Sequence, residues 1–260
     1  MNAVALSILA GNERNVESDV DMTESLVKRL LRPLVRPLVK LLVHAIPSAD
    51  DPWQKEPAKV APRRFGPGNI HDWAWYMEGN SLVRVESPKG IVDWLRECKY
   101  VGDSVQFGQA DFWQHPVAFE TTRRGDCEDH ALWAWRKLKE LGISAEFVCG
   151  RGGPMTARGN VWHAWVMLTL NDQLYLMETT AKSRQQMTLP FSEAKQRYCP
   201  AYSVDTNLRT YRYAGYIECM KLNLECDWKH EGPSPSSNLN LAGRAQNETE
   251  RDMSLFAAKQ

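Results

Sequence analysis

The sequence has no excess charge of either sign. Its 32 lysines and arginines are matched by 32 aspartates and glutamates, so no overall field draws it to the polyanionic backbone of a nucleic acid. It also lacks an uncharged apolar run of membrane-spanning length. No basic stretch precedes the short apolar run from Ala3 to Ala10, and charges soon interrupt it. A signal peptide is therefore not expected, and the chain is expected to be cytoplasmic. Its six cysteines, at positions 98, 127, 149, 199, 219 and 226, have none of the close paired spacing of a zinc ribbon. A chain of 260 residues can bury a core without disulfide staples, so most of these are read as reduced thiols. The glycine-bearing stretch 151–160 is not followed by Gly-Lys-Ser/Thr, which excludes a phosphate loop. Gly152, Gly153 and Gly159 make it a candidate lid or substrate rim instead.

What the sequence does have is one strongly organised stretch, Arg123 to Ile143. Asp126 is a good N-cap, so a helix is expected to begin at or beside Cys127, with Gly142 as its C-terminal stop. Ala131, Ala134, Trp135, Leu138 and Leu141 recur at three- and four-residue spacing, which makes a buried stripe. A cysteine at a helix start meets free N–H groups and the positive end of the dipole, which favour the thiolate. The bland alternative is a small buried apolar residue.

Two further residues tip this balance. Val161 to Leu170 and Gln173 to Thr180 are β-prone runs separated by Asn171-Asp172, a turn-forming pair. With a two-residue loop, Leu170 faces Gln173, Glu178 falls opposite Trp165, and Thr180 opposite His163. His163, Trp165 and Glu178 then share one sheet face, with Glu178 diagonal to His163 and within reach of its ring. A three-residue loop would flip Glu178 to the other face.

Gly125-Asp126-Cys127-Glu128-Asp129, followed by an apolar helix and then by His163-Ala164-Trp165-Val166, resembles the transglutaminase-like cysteine peptidase superfamily, especially its bacterial branch. Asp111-Phe112-Trp113-Gln114-His115-Pro116 resembles the segment that precedes the cysteine there. The resemblance runs from about Trp94 to Thr180. It implies an α+β, papain-like core with the cysteine helix packed on an antiparallel sheet. It also implies Cys127 as nucleophile, His163 as general base and acid, and Glu178 as the orienting carboxylate. The sequence departs from the family pattern in carrying Glu178 where aspartate is usual, and His130 where an aromatic residue is common.

Acyl transfer through a thiolate builds negative charge on a carbonyl oxygen, which needs donors. The Cys127 backbone N–H is one. Gln106, Trp113 and Gln114 lie just upstream, and Gln114 and Trp113 are the preferred candidates for the second. No cofactor is expected. Asp126, Glu128 and Asp129 offer hard oxygens, and some relatives depend on calcium, but three acids at a helix start more often cap it. Zinc held by Cys127, His130, Cys149 and His163 is a rival reading that leaves Glu178 without a role. The expected partner is a protein or peptide substrate. The alternatives are a protein-crosslinking transglutaminase and a non-catalytic binding module of the same fold.

The flanks are read as an N-terminal arm over 1–50, the transglutaminase-like domain over 51–228, and a tail over 229–260 expected to be disordered from its Ser, Pro, Asn and charge content. Within the arm, residues 26–44 carry leucine and valine rows beside Lys28, Arg32, Arg36 and Lys40. They are read as a surface for an anionic membrane or a partner, or as an arm packed on the domain itself. Pro33 and Pro37 strain a continuous helix. Pro47 to Pro67 reads as a linker or wrap. The aromatic run around Trp73, Trp75 and Tyr76 reads as packing, Pro88 to Tyr100 as a helix, Gly102 to Phe119 as irregular, Glu146 to Gly150 as a strand, and Tyr211 to Cys219 as another.

Overall fold

A computed structural model describes residues 37, 38, 40–153 and 161–226, the side chains of 222–226 excepted. The chain divides into two compact units after Leu222, and the first carries every element set out below except the end of the last helix, which runs on to Cys226. Most of the basic segment 26–44 and all of 154–160 and 229–260 lie outside the described residues. Residues 40–44 are helical, with Leu41 and Leu42 exposed and Val43 buried. Among the described residues no helix is long and apolar enough to cross a membrane.

The architecture is α+β, with a helix laid on an antiparallel sheet. In chain order the elements are β1 (Lys55–Pro57), α1 (Pro88–Arg96), β2 (Lys99–Tyr100), α2 (Asp103–Gln106), α3 (Pro116–Thr122), β3 (Arg124–Gly125) and α4 (Cys127–Glu140). They continue with β4 (Ala145–Arg151), β5 (Trp162–Leu170), β6 (Gln173–Met177), α5 (Arg184–Met187), β7 (Thr188–Pro190), α6 (Phe191–Arg197), β8 (Cys199–Asp205), β9 (Thr210–Tyr213) and α7 (Tyr216–Cys226). Seven strands form one sheet in the order β1-β9-β8-β4-β5-β6-β7, and every neighbouring pair is antiparallel. The small pair β2-β3 is parallel.

Alternation along the central strands fixes what each face meets. Phe147, Cys149, Ala164, Val166 and Leu168 join the buried cluster that holds Ala131, Ala134, Trp135 and Leu138 of α4. Their neighbours Val148, Trp165 and Met167 point the other way, into a second cluster with Leu176, Leu189, Ala194 and Tyr198. Both faces are covered, so a slip of one residue would exchange the two sets of side chains. The turn prevents this. Asn171 and Asp172 take φ of 50° and 60°, left-handed values that Asn and Asp tolerate, and Leu170 pairs with Gln173 up to Val166 with Met177.

Several expected elements end differently. The helix from Pro88 stops at Arg96, because Lys99 and Tyr100 leave it to pair with β3. The stretch read as a linker supplies β1, which pairs with β9, and the region ahead of Cys127 contains α2 and α3. The strand expected to reach Cys219 ends at Tyr213, and Tyr216 starts a helix. Trp73 and Tyr76 are buried, as packing requires.

A buried ion pair ties the chain before α1 to the cysteine helix. Lys137 Nζ lies 2.9 Å from Glu120 Oε1, and both side chains are at most 1% exposed. Trp133 Nε1 donates to the same oxygen at 2.8 Å, and Val83 N–H donates to Oε2 at 3.2 Å. Burial pushes the Glu120 carboxyl up, but its bonds from Ser81, Lys137 and Trp133 outweigh that and hold it below the usual range. Removing Glu120 takes away the fully buried carboxylate and leaves Lys137 only the part-exposed Glu140 at 3.0 Å as its ion-pair partner. It also leaves the Trp133 indole N–H without its acceptor. Glu120→Ala is therefore expected to destabilise by about 3–5 kcal/mol, measured by urea unfolding. A loss below about 1 kcal/mol would show that Glu140 alone suffices to hold the Lys137 charge.

Candidate active site

Cys127 opens α4 as its first residue, behind Asp126 at the N-cap. A capping box joins Asp126 and Asp129, in which the Asp126 backbone N–H donates to Asp129 Oδ2 at 3.3 Å. Gly125 is required by contact: a Cβ there would sit 2.2 Å from Asp129 Oδ2. Gly142, at φ 71°, follows the helix as expected.

His163 lies on β5 where that strand passes the start of α4, and a pocket of about 230 Å³ is lined by both Cys127 and His163. Phe65, Gly66, Pro67, Trp113 and Trp162 form apolar walls, and Asp111, Asp126 and Glu128 are the acidic side. His163 Nε2 donates to Glu178 Oε2 at 2.8 Å, the reach that the hairpin parity predicts. Since Nε2 is spent on Glu178, Nδ1 is the ring nitrogen left for chemistry. Glu178 is itself held on every side. Tyr198 Oη donates to Oε2 at 2.8 Å, while the Thr180 backbone N–H and Oγ1 donate to Oε1 at 3.0 and 2.7 Å. Burial pushes its carboxyl up, yet the charge and hydrogen bond of His163 and the bonds from Thr180 outweigh it, and Glu178 stays below the usual range. The hairpin parity sets Thr180 near His163 but does not show that it donates to Glu178, and nothing in the sequence marks Tyr198.

The expectation of a thiolate at Cys127 is not met. Burial pushes its thiol well above the ordinary value, and the charges of Glu128 and Asp126 push it further. The Sγ–H donates to Glu128 Oε2 at 3.1 Å. An Ala164 backbone N–H beside the sulfur works the other way but is outweighed. The helix start does favour an anion, and the acids around it are already there.

Those acids form a cluster larger than the sequence indicated. Ligand atoms of Asp103, Asp111 and Glu128, of Asp103, Asp126 and Asp129, and of Asp126, Cys127 and Glu128 lie within 4.8 Å of one another in each group. Burial raises the Asp103 carboxyl to about 6, and burial first, then neighbouring charge, raises Glu128 and Asp129 well above their usual values. Among the described residues, Asp103 Oδ1 and Asp126 Oδ1 are buried without a hydrogen-bond partner. A hard divalent cation fits this donor set of carboxylate oxygens. The zinc set does not assemble. His130 Nδ1 bonds the Asp126 carbonyl at 2.7 Å, and burial lowers its pKa to about 4. Among the described residues it joins no convergent group of ligand atoms.

The oxyanion candidates are engaged elsewhere. Gln114 Nε2 donates to Arg124 O at 2.8 Å and to Asp129 Oδ2 at 2.5 Å, so its amide braces the acid cluster. Trp113 lines the pocket, but its Nε1 donates to Asp111 Oδ1 at 2.9 Å. Gln106 Nε2 is turned to Arg124 O at 3.0 Å. Carboxylates hold the Trp113 and Gln114 donors, and the Arg124 carbonyl holds Gln106.

Residues 71–178 match the family model of the transglutaminase-like superfamily. Among solved structures, EGTA-treated LapG of Legionella pneumophila is 16% identical, with 65% of this chain and 80% of that one covered and a TM-score of 0.35. Calcium-bound LapG of the same organism is 17% identical over 56% of this chain and 77% of that one, at 0.36. A cysteine-protease candidate from Cytophaga hutchinsonii is 14% identical over 48% and 51%, at 0.30. No curated protein matches the chain.

Proposed function

On the premise that residues 71–178 are a transglutaminase-like superfamily domain, we propose that the chain is a cysteine hydrolase cleaving peptide or isopeptide amides. The observation that carries this reading is the single pocket onto which Cys127 and His163 both open, with His163 braced by Glu178. In this reading the Cys127 sulfur attacks the amide carbonyl while its proton passes to His163 Nδ1. The same imidazolium then protonates the leaving amine, and a thioester is left on Cys127. Neutral His163 next takes a proton from water, whose oxygen attacks the thioester and frees the carboxylic acid. Glu178, kept ionised, stabilises the imidazolium and fixes the ring's tautomer.

The acid cluster carries a second part of the reading. Asp103, Asp111, Asp126, Glu128 and Asp129 would hold a divalent cation, with calcium the best match to an all-oxygen set. Bound there, it would supply positive charge that offsets the carboxylates now holding Cys127 as a thiol.

The test is a mixture of peptides incubated with the full chain in ¹⁸O-water, with and without calcium, and read by mass spectrometry. New C-termini carrying one ¹⁸O are expected. If an added primary amine is joined to the acyl group instead, the chemistry is transamidation. No acyl transfer of either kind would leave the binding-module reading in place.

A further inference from the structure

Two cysteines that the proposed chemistry does not use lie against each other where β8 begins. Cys199 opens β8, opposite Arg151 of β4, and Cys219 lies in the first turns of α7. Their sulfurs are 3.8 Å apart. A disulfide needs about 2.05 Å, so side-chain rotation and a small shift would close the gap. The approach is built in. Gly215 leads into α7, and a Cβ there would lie 2.9 Å from Cys199 Sγ and 2.6 Å from Pro200 O. Any larger residue would push the helix start away from the strand.

The two sulfurs are also unequal. Cys219 is buried and Cys199 half-buried, so a small reagent meets Cys199 first. When Cys199 is a thiol, the Gly215 carbonyl 3.5 Å away accepts from it. The Cys219 Sγ–H is 3.2 Å from the Cys199 carbonyl and 3.8 Å from the Cys199 sulfur. Its approach to that sulfur favours the Cys199 thiolate and keeps the proton on Cys219. That is the division of labour between an attacking and a resolving thiol.

We propose that Cys199 and Cys219 are a redox site that closes reversibly into a disulfide, tying α7 to β8. The oxidant is a small-molecule disulfide such as oxidised glutathione. Cys199 thiolate attacks one of its sulfurs and releases one thiolate, leaving a mixed disulfide. Cys219 then loses its proton to solvent and attacks the Cys199 sulfur, releasing the second thiolate. One disulfide is consumed, two small thiols are formed, and two protein thiols become one bridge. Because Cys199 directly follows Tyr198, which holds Glu178, the bridge also fixes the strand end beside the proposed site.

The full chain is treated with oxidised or reduced glutathione, its remaining thiols are alkylated, and tryptic peptides are mapped. The oxidised sample is expected to contain residues 198–209 linked to 213–221, a link absent after reduction. Its Tm is expected to rise by roughly 5–10 °C, an increment lost in Cys199→Ser and in Cys219→Ser. Peptide mapping needs only the unsubstituted chain, so the test survives variants that fail to fold. Free alkylation of both cysteines after oxidation, a lasting mixed disulfide on Cys199, or linkage of Cys219 to Cys226 would overturn the proposal. None of these results depends on whether Cys127 is a nucleophile.

Discussion

Cys127→Ala is expected to remove amide cleavage altogether with little change in stability. His163→Ala is expected to lower kcat by at least about 10³-fold while also destabilising the fold, since it takes a partner from the buried Glu178. The reason lies in how the three groups depend on each other. Without the sulfur there is no acyl acceptor. Without His163 the Cys127 proton has no destination inside the pocket, because the group it now meets, Glu128, is itself pushed toward the protonated form. Glu178→Gln is expected to cost somewhat less than His163→Ala, about 10²–10⁴-fold. An amide can accept from His163 Nε2 but brings no charge to stabilise the imidazolium. Tyr198→Phe removes one of the donors to Glu178 and leaves the Thr180 bonds standing. It is expected to cost about tenfold or less, and to move the acid limb of the pH–rate profile rather than only its height. Steady-state kinetics on a peptide identified by ¹⁸O labelling, with unfolding curves for each variant, would check the series. Cleavage that persists in Cys127→Ala would remove the sulfur from the mechanism. Equal losses in Glu178→Gln and Tyr198→Phe would show that the carboxylate acts only as a brace.

The parts of the site that the sequence made legible are those set by short-range periodicity. The pairing of His163 with Glu178 follows from the period of two and the Asn171-Asp172 turn, and the structure places Leu170 against Gln173 as that turn requires. The helix start at Cys127 follows from Asp126 and Gly125 for the same local reasons. What escaped is what the chain assembles from a distance. Asp103 and Asp111 reach Glu128 from another segment, and their spacing in sequence carries no sign of it. The Cys127 thiol differs from expectation for another reason: burial, which the helix start does not reveal, pushes it up first, and the adjacent Glu128 and Asp126 add to this. A helix dipole amounts to about half a charge spread over one turn, too little to offset the burial of the sulfur and the two acids beside it. Gln114 was misplaced for a related reason: position put it near the cysteine, but Asp129 takes its amide. Tyr198, from beyond the hairpin, belongs with Asp103 as a residue that only the folded sheet could reveal.

Calcium is expected to raise the Tm by roughly 5–10 °C at about one hundred times its Kd, through a gain of about 2.7 kcal/mol, and to speed alkylation of Cys127. The pH dependence sets the sign. Asp103 in the fold titrates near 6, above an ordinary aspartate near 3.9. Its contribution to stability is therefore fully present below about 4 and is lost as pH rises through about 6. Glu128 and Asp129 are raised in the same direction, so ionising the cluster works against the cation-free fold. Glu120 and Glu178 lie below their usual values and work the opposite way at acid pH. For that reason the quantity to follow is the difference between Tm with calcium and Tm with EGTA. A cation binds the ionised carboxylates, so this difference should grow between pH 5 and 7.5 as the protons leave. Asp126→Asn should shrink it. Glu128→Gln should shrink it too, while speeding Cys127 alkylation even in EGTA, because it removes the carboxyl group that accepts the thiol proton and, when ionised, disfavours the thiolate. This opposite response of one variant in two readouts separates a cation site beside the nucleophile from a general effect of ions on stability. If the difference stays near zero across the pH range, and Cys127 labels at the same rate with calcium or EGTA, the acids are a fixed part of the pocket and the cation reading falls. The transfer of a proton from Cys127 to His163 would then have to overcome Glu128 unaided, and the enzyme would be slow at neutral pH.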